Sequence, residues 1–145
     1  MEDYENEERL NPVEVMVTIH KEYPQIELDS PVDLKEMDSY IKLDSMERVF
    51  TRLVQENGLL VFKNPLIEEI EYIPNFFVYD PKLEKGKVVD LNISRIKDNE
   101  KRYSKRFLNR ELGQIRKIEE MGIPTLLIDS AMILEMFISQ KADIF

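Results

Sequence analysis

One carboxylate and two carboxamides form the set in this sequence best placed by spacing to do chemistry: Asn75, Asp90 and Asn92. Asp90 and Asn92 are two residues apart in the apolar run Lys87-Val-Val-Asp-Leu-Asn-Ile-Ser94, so they share one face of a strand. Asn75 opens the preceding run, Ile73-Pro-Asn-Phe-Phe-Val-Tyr-Asp80. If the turn between the runs centres near Leu83 and Glu84, Asn75 falls opposite Asn92 and the three side chains converge. Asp80 is then left out by the turn. Carboxylates gathered in this way hold hard cations such as magnesium, whereas asparagine lends one neutral oxygen and no charge. With a single histidine, His20, and no cysteine, multi-histidine and thiolate metal sites are excluded.

These residues also have ordinary readings, as does the acid on the helix expected before them. Glu47 follows Asp44 by three residues, the spacing of a capping box at a helix start. Asp90 fits a buried, hydrogen-bonded aspartate, and the two asparagines fit a pair bonded to each other or to backbone groups.

The elements that must position this set can be read from hydrophobic periodicity. A helix is expected from Asp44 to Asn57, where Met46, Val49, Phe50, Leu53 and Val54 recur at helical spacing and Gly58 follows as terminator. Leu59 to Phe62 reads as a short strand, and Ile67 to Ile73 as a second short strand or extended approach to the hairpin. The hairpin arms are the 73–80 and 87–94 runs, joined by Asp80-Pro-Lys-Leu-Glu-Lys-Gly86. Ser104 to Met121 is expected as the longest helix, with Phe107, Leu108, Leu112, Ile115 and Ile118 as its apolar stripe. Thr125 to Ile128 reads as a buried strand. Ser130 to Gln140 reads as a helix capped by Asp129 or Ser130, with Met132, Ile133, Met136 and Phe137 inward. Upstream, the alternation of Val13, Val15, Val17 and Ile19 favours a strand over a short helix, and Val32 to Met37 suggests a helical turn. Residues 1–12 read as an acidic flexible tail and 13–145 as a single domain.

The chain has 145 residues and a net charge of −9, which argues against general adhesion to nucleic acid. The charge is segregated, however. Acids dominate up to Ser45, whereas Arg95, Lys97, Lys101, Arg102, Lys105, Arg106, Arg110, Arg116 and Lys117 outnumber the acids of 95–117. This basic region suggests an anionic partner, although a solvated helix face has the same composition. No apolar run approaches the roughly 18 residues of a membrane span, and no secretory signal opens the sequence. An intracellular, cytoplasmic protein with no membrane partner is expected.

The order helix, strand, hairpin, basic helix, strand, helix resembles the restriction-endonuclease-like, or PD-(D/E)XK, superfamily. The closest resemblance is to the endonuclease subunit of heteromeric transposases. The matching stretches are Leu43-Asp-Ser-Met-Glu-Arg-Val-Phe50, Glu71-Tyr-Ile-Pro-Asn-Phe-Phe77, Val88-Val-Asp-Leu-Asn-Ile93 and the later Gly-Ile-Pro-Thr-Leu-Leu-Ile segment. The resemblance implies an α/β fold with a mixed central sheet flanked by helices on both faces. It places Glu47 at the family's helix acid and Asp90 at its second-arm acid. Asn75 stands where the metal-binding aspartate belongs, and Asn92 where the lysine belongs.

With two groups replaced, the implied function is that of a catalytically degenerate domain, a pseudoenzyme needing no cofactor. It would be a DNA-binding or assembly component of a nucleic-acid-processing complex such as a transposition machine, working with a protein partner. Lys97, Lys101, Arg102, Lys105, Arg106 and Arg110 would contact the nucleic acid. Two alternatives stay open. One is an active endonuclease holding magnesium on Glu47 and Asp90 with a migrant lysine, Lys97, Lys101 or Lys105. The other is a protein-interaction domain that never touches nucleic acid.

Overall fold

A four-stranded mixed sheet forms the centre of the molecule, in a computed structural model that describes residues 12–32, 45–91 and 112–145. The strands are β2 (Leu60–Lys63), β4 (Phe76–Asp80), β5 (Lys85–Leu91) and β6 (Thr125–Ile128), in the spatial order β2-β4-β5-β6. The first three are antiparallel neighbours, and β6 returns parallel to β5. A separate two-stranded sheet pairs β1 (Ile26–Glu27) with β3 (Leu66–Ile67). The chain is therefore mixed α/β, as its pattern of elements leads one to expect.

Strand alternation divides the core in two. Val61, Phe76, Val78, Val89 and Leu91 face one way, where they meet Phe50 and Val54 of helix α2 (Ser45–Glu56). Ile133 joins them there from helix α4 (Ser130–Ser139). Phe62, Phe77, Tyr79 and Val88 face the other way, against Ile19 and Tyr23 of helix α1 (Pro12–Glu22) and its C-terminal flank. Ile118 of helix α3 (112–120) joins this second core. Both faces of the sheet are thus covered by helices, which is why the strands read as nearly continuous apolar runs.

Several expectations hold. The α2 stripe buries Phe50, Leu53 and Val54, and Gly58 takes a left-handed φ of 82° at the helix end. Asp129 caps α4, its Oδ1 accepting from the Met132 amide at 2.9 Å. Asp80 does sit at the hairpin turn, where its Oδ1 accepts from the amides of Lys82 and Leu83 at 2.9 and 3.3 Å.

Others need correction. The 13–19 segment is helical, not a strand: Val15, Met16, Ile19 and Tyr23 pack inward at helical spacing, while Val13 and Val17 are exposed. Pro12, assigned above to the tail, is the first residue of this helix, where its missing N–H costs nothing. His20 and Lys21 in the last turn suit the helix dipole. The strand expected over 67–73 is only Leu66–Ile67, followed by a short 3-10 turn (Glu68–Ile70). Glu71 then turns left-handed (φ 50°), so that Tyr72 bridges back to Ile67. On α4, Ile133 is buried but Met132 and Phe137 are exposed, and Leu112 on α3 is exposed as well. The 33–44 and 92–111 segments lie outside the described residues, and with them Asp44, the helical turn after Val32, and Phe107 and Leu108 of the long basic helix.

The second core makes two tests available. Gly86 exchanges hydrogen bonds with the Tyr23 hydroxyl, its amide donating at 2.8 Å, and a Cβ there would run into the Phe77 ring. The ring is itself held edge-on by Tyr23, with centroids 5.3 Å apart. Gly86→Ala should therefore cost about 1–3 kcal/mol in urea denaturation, as over-packing does; an unchanged midpoint would mean that the ring moves aside freely.

Tyr79 is 1% exposed, and its hydroxyl has no partner among the described residues. Burial, reinforced by the negative charges of Glu22 and Glu84, pushes its phenol up to about 12. Because the folded value lies above the unfolded one, this group's contribution is complete below about pH 10 and is lost as the pH rises towards 12. Tyr79→Phe should lose less stability than wild type between pH 9 and 11 (about one unit either side of the free phenol's value), measured by urea midpoints.

Candidate functional site

The cluster forms where the start of β4, the end of β5, the end of β2 and the first turn of α2 meet. Its register differs from the expected one. Phe76 pairs with Val89 and Asp80 with Lys85, so the turn is centred earlier than Leu83–Glu84 and Asn75 falls opposite Asp90. The second arm accordingly begins at Lys85 and is described as far as Leu91. Asn92 lies outside the described residues.

Asn75 is the hub. Its backbone amide donates to Asp90 Oδ1 at 2.8 Å, and its side-chain Oδ1 accepts from the Leu91 amide at 2.8 Å. Its Nδ2 donates to Glu47 Oε2 at 3.4 Å. The asparagine thereby continues the pairing of β4 with β5 beyond Phe76 and links the hairpin to α2. The Pro74 ahead of it has no N–H, so the ladder cannot extend further back through that residue.

Asp90 is 3% exposed although it lies within a strand. Val89 and Leu91 point into the core beneath α2, so the alternation turns Asp90 to the opposite face, with Val88. There its Oδ2 accepts from the Tyr72 hydroxyl. The left-handed turn at Glu71 brings Tyr72 back over the sheet and makes that contact. Glu47, 9% exposed, is on α2 and thus on the other side of the sheet. Its Oε2 receives the Lys63 ammonium at 2.5 Å.

Lys63 is the functional-site residue that sequence reasoning overlooked. The strand read from the sequence stops at Phe62, one residue short of it, and the lysines weighed for the site are Lys97, Lys101 and Lys105. One signal was available: Lys63 is two residues from Val61 and therefore shares its face, the face that α2 must cover. Its ammonium also stands 4.9 Å from the centroid of the Phe76 ring.

Of the expected set, the structure brings Glu47, Asn75 and Asp90 together through hydrogen bonds. Among the described residues no three histidine, cysteine, aspartate or glutamate side chains are grouped to hold a metal ion. The donor set fits magnesium poorly. Asp90 already accepts from an amide and a phenol, Glu47 faces an ammonium, and Asn75 directs a donor rather than an acceptor at Glu47. Lys97, Lys101, Arg102, Lys105, Arg106 and Arg110 lie outside the described residues.

This geometry predicts the effect of placing an acid at position 75. In Asn75→Asp a carboxylate oxygen replaces the Nδ2 that now faces Glu47, placing like charges together. Like charges raise carboxylate pKa values in the folded state, so the folded protein takes up a proton before the unfolded chain does. The variant should be less stable than wild type at pH 7, with the deficit shrinking as the pH falls towards about 4. Paired urea titrations at the two pH values would show it, and a deficit independent of pH would refute the charge argument. No family model, no curated protein and no solved structure matches the chain, so the meaning of this cluster rests on its own geometry.

Proposed function

We propose that the chain is a restriction-endonuclease-like domain that does not hydrolyse phosphodiesters and serves as a nucleic-acid-binding or assembly component of a DNA-processing complex. The architecture that supports this is the succession α2, β2, β4, β5, α3, β6, with three antiparallel strands and a parallel fourth reached through a helix. The observation that carries the non-hydrolytic part is Asn75 between the two buried carboxylates, donating to both. Hydrolysis by the metal-dependent route needs negative charge that gathers cations and a group that positions water. Here the carboxylates are occupied by protein donors. What remains is a scaffold and, in the sequence, a basic segment that follows the second arm of the hairpin. Arg116 and Lys117 are exposed on α3, but Glu119 and Glu120 follow them, so the cationic balance resides in residues 95–110. Contacts to a phosphate backbone there would give affinity without sequence preference.

Two assays test this. Supercoiled plasmid incubated with the protein and magnesium or manganese should stay unnicked. Fluorescence anisotropy on a duplex should show binding that weakens steeply with salt, and Lys105→Glu should reduce the slope of log affinity against log salt by about 1. Nicking that disappears in Asp90→Ala would instead make the protein a magnesium-dependent endonuclease with a rearranged site. Absence of any salt-sensitive binding would make it a protein-interaction domain.

A further inference from the structure

A carboxylate as enclosed as Glu47 must be balanced by a cation or by several donors, because an unpaired buried charge is costly. Among the described residues, the Lys63 ammonium reaches its Oε2 at 2.5 Å and the Asn75 amide at 3.4 Å. The Lys63 side chain is itself only 16% exposed, and the face of Phe76 lies beneath its charge. We propose that Lys63 is the resident cation of this cluster, its ammonium taking the place that a divalent ion would need beside Glu47. The cluster then neither requires nor admits magnesium or manganese. This deepens the non-hydrolytic reading above and rests on it.

The argument is one of space and charge. A divalent ion on Glu47 Oε2 would sit at about 2.0–2.6 Å from that oxygen, where the ammonium already stands. Two cations cannot share the oxygen without strong repulsion, so the ion would have to expel Lys63. The lysine has an advantage in that contest. It is tethered at the end of β2, its residue pairs with Phe76, and the next amide, Asn64, donates to the Asn75 carbonyl at 3.0 Å. It therefore binds without the loss of translational freedom that a free ion must bear. Asp90 offers an incoming ion little help, because its oxygens already accept from Asn75 and Tyr72.

Manganese alone is the probe, followed by the electron paramagnetic resonance signal of the free ion and by thermal unfolding. Wild type should leave manganese free up to about 1 mM, the range of weak carboxylate sites, and its Tm should not move. Lys63→Met should unfold at lower temperature and regain about 5 °C on saturation with manganese, because the ion now fills the vacated place. Lys63→Arg, which keeps the charge, should stay insensitive to manganese. Wild-type binding below 1 mM (about the weak-site limit) that is lost in Glu47→Gln would overturn the inference, as would a folded Lys63→Met unmoved by manganese. If Lys63→Met does not fold, the wild-type titration and Lys63→Arg decide alone. Manganese binding without plasmid nicking sinks this inference only, whereas nicking sinks the non-hydrolytic reading.

Discussion

The contact on which the cluster depends is the triple engagement of Asn75. One residue donates its amide to Asp90, accepts the Leu91 amide and points its carboxamide at Glu47. A hydrogen bond that merely replaces one to water contributes about 1 kcal/mol, but a buried donor or acceptor left without a partner costs about 1–3 kcal/mol. Asn75 therefore matters chiefly for what would be orphaned without it. It is where the β4–β5 ladder, the end of β2 and the first turn of α2 are joined, so the alignment of α2 on the sheet is coupled to the register of the hairpin.

That register has a chemical consequence. The observed pairing differs from the expected one by two residues, so each side chain of β5 keeps its face and only its cross-strand partner changes. What changes is that Asn75 meets Asp90, which accepts its amide, while Val89 and Leu91 serve the core under α2. The two carboxylates are bound by different partners besides Asn75, Glu47 by Lys63 and Asp90 by Tyr72. The neutral asparagine suits the gap between them, since its two ends carry opposite hydrogen-bonding character and no net charge. An aspartate would lack the donor that faces Glu47.

The two cores differ in how they are closed. On the α2 side, Phe50 and Phe76 lie with ring centroids 5.2 Å apart, and the Gln55 carboxamide donates to the Val32 carbonyl while the Val32 amide donates to Val61. That strap satisfies part of the outer edge of β2, which would otherwise be left unpaired. On the other side, Tyr23 reaches from the end of α1 to Gly86 and Phe77, and the small β1–β3 sheet holds the chain that leads to Tyr72. The site thus borrows its rigidity from both faces of the sheet.

The sequence by itself determined the elements whose signals are local. Helix α2 was legible from its stripe and its terminal glycine, α4 from Asp129, β6 from its short apolar run, and the hairpin from two strand-forming runs around a turn rich in polar residues and glycine. Asn75 and Asp90 were legible as convergent with Asn92 because polar residues on one strand face stand out in apolar runs, whereas Glu47 joined them only through the family resemblance. Only the tertiary structure decided the rest. The helical state of α1 depended on which residues the sheet buries, since Val13, Val15, Val17 and Ile19 alternate while Val15, Met16, Ile19 and Tyr23 follow a helical period. The hairpin register depended on where the turn closes, and a turn displaced along the chain changes every cross-strand partner. Lys63 and Glu47 are 16 residues apart and share no local pattern. Their pairing exists because α2 crosses the end of β2, a consequence of packing that no periodicity records.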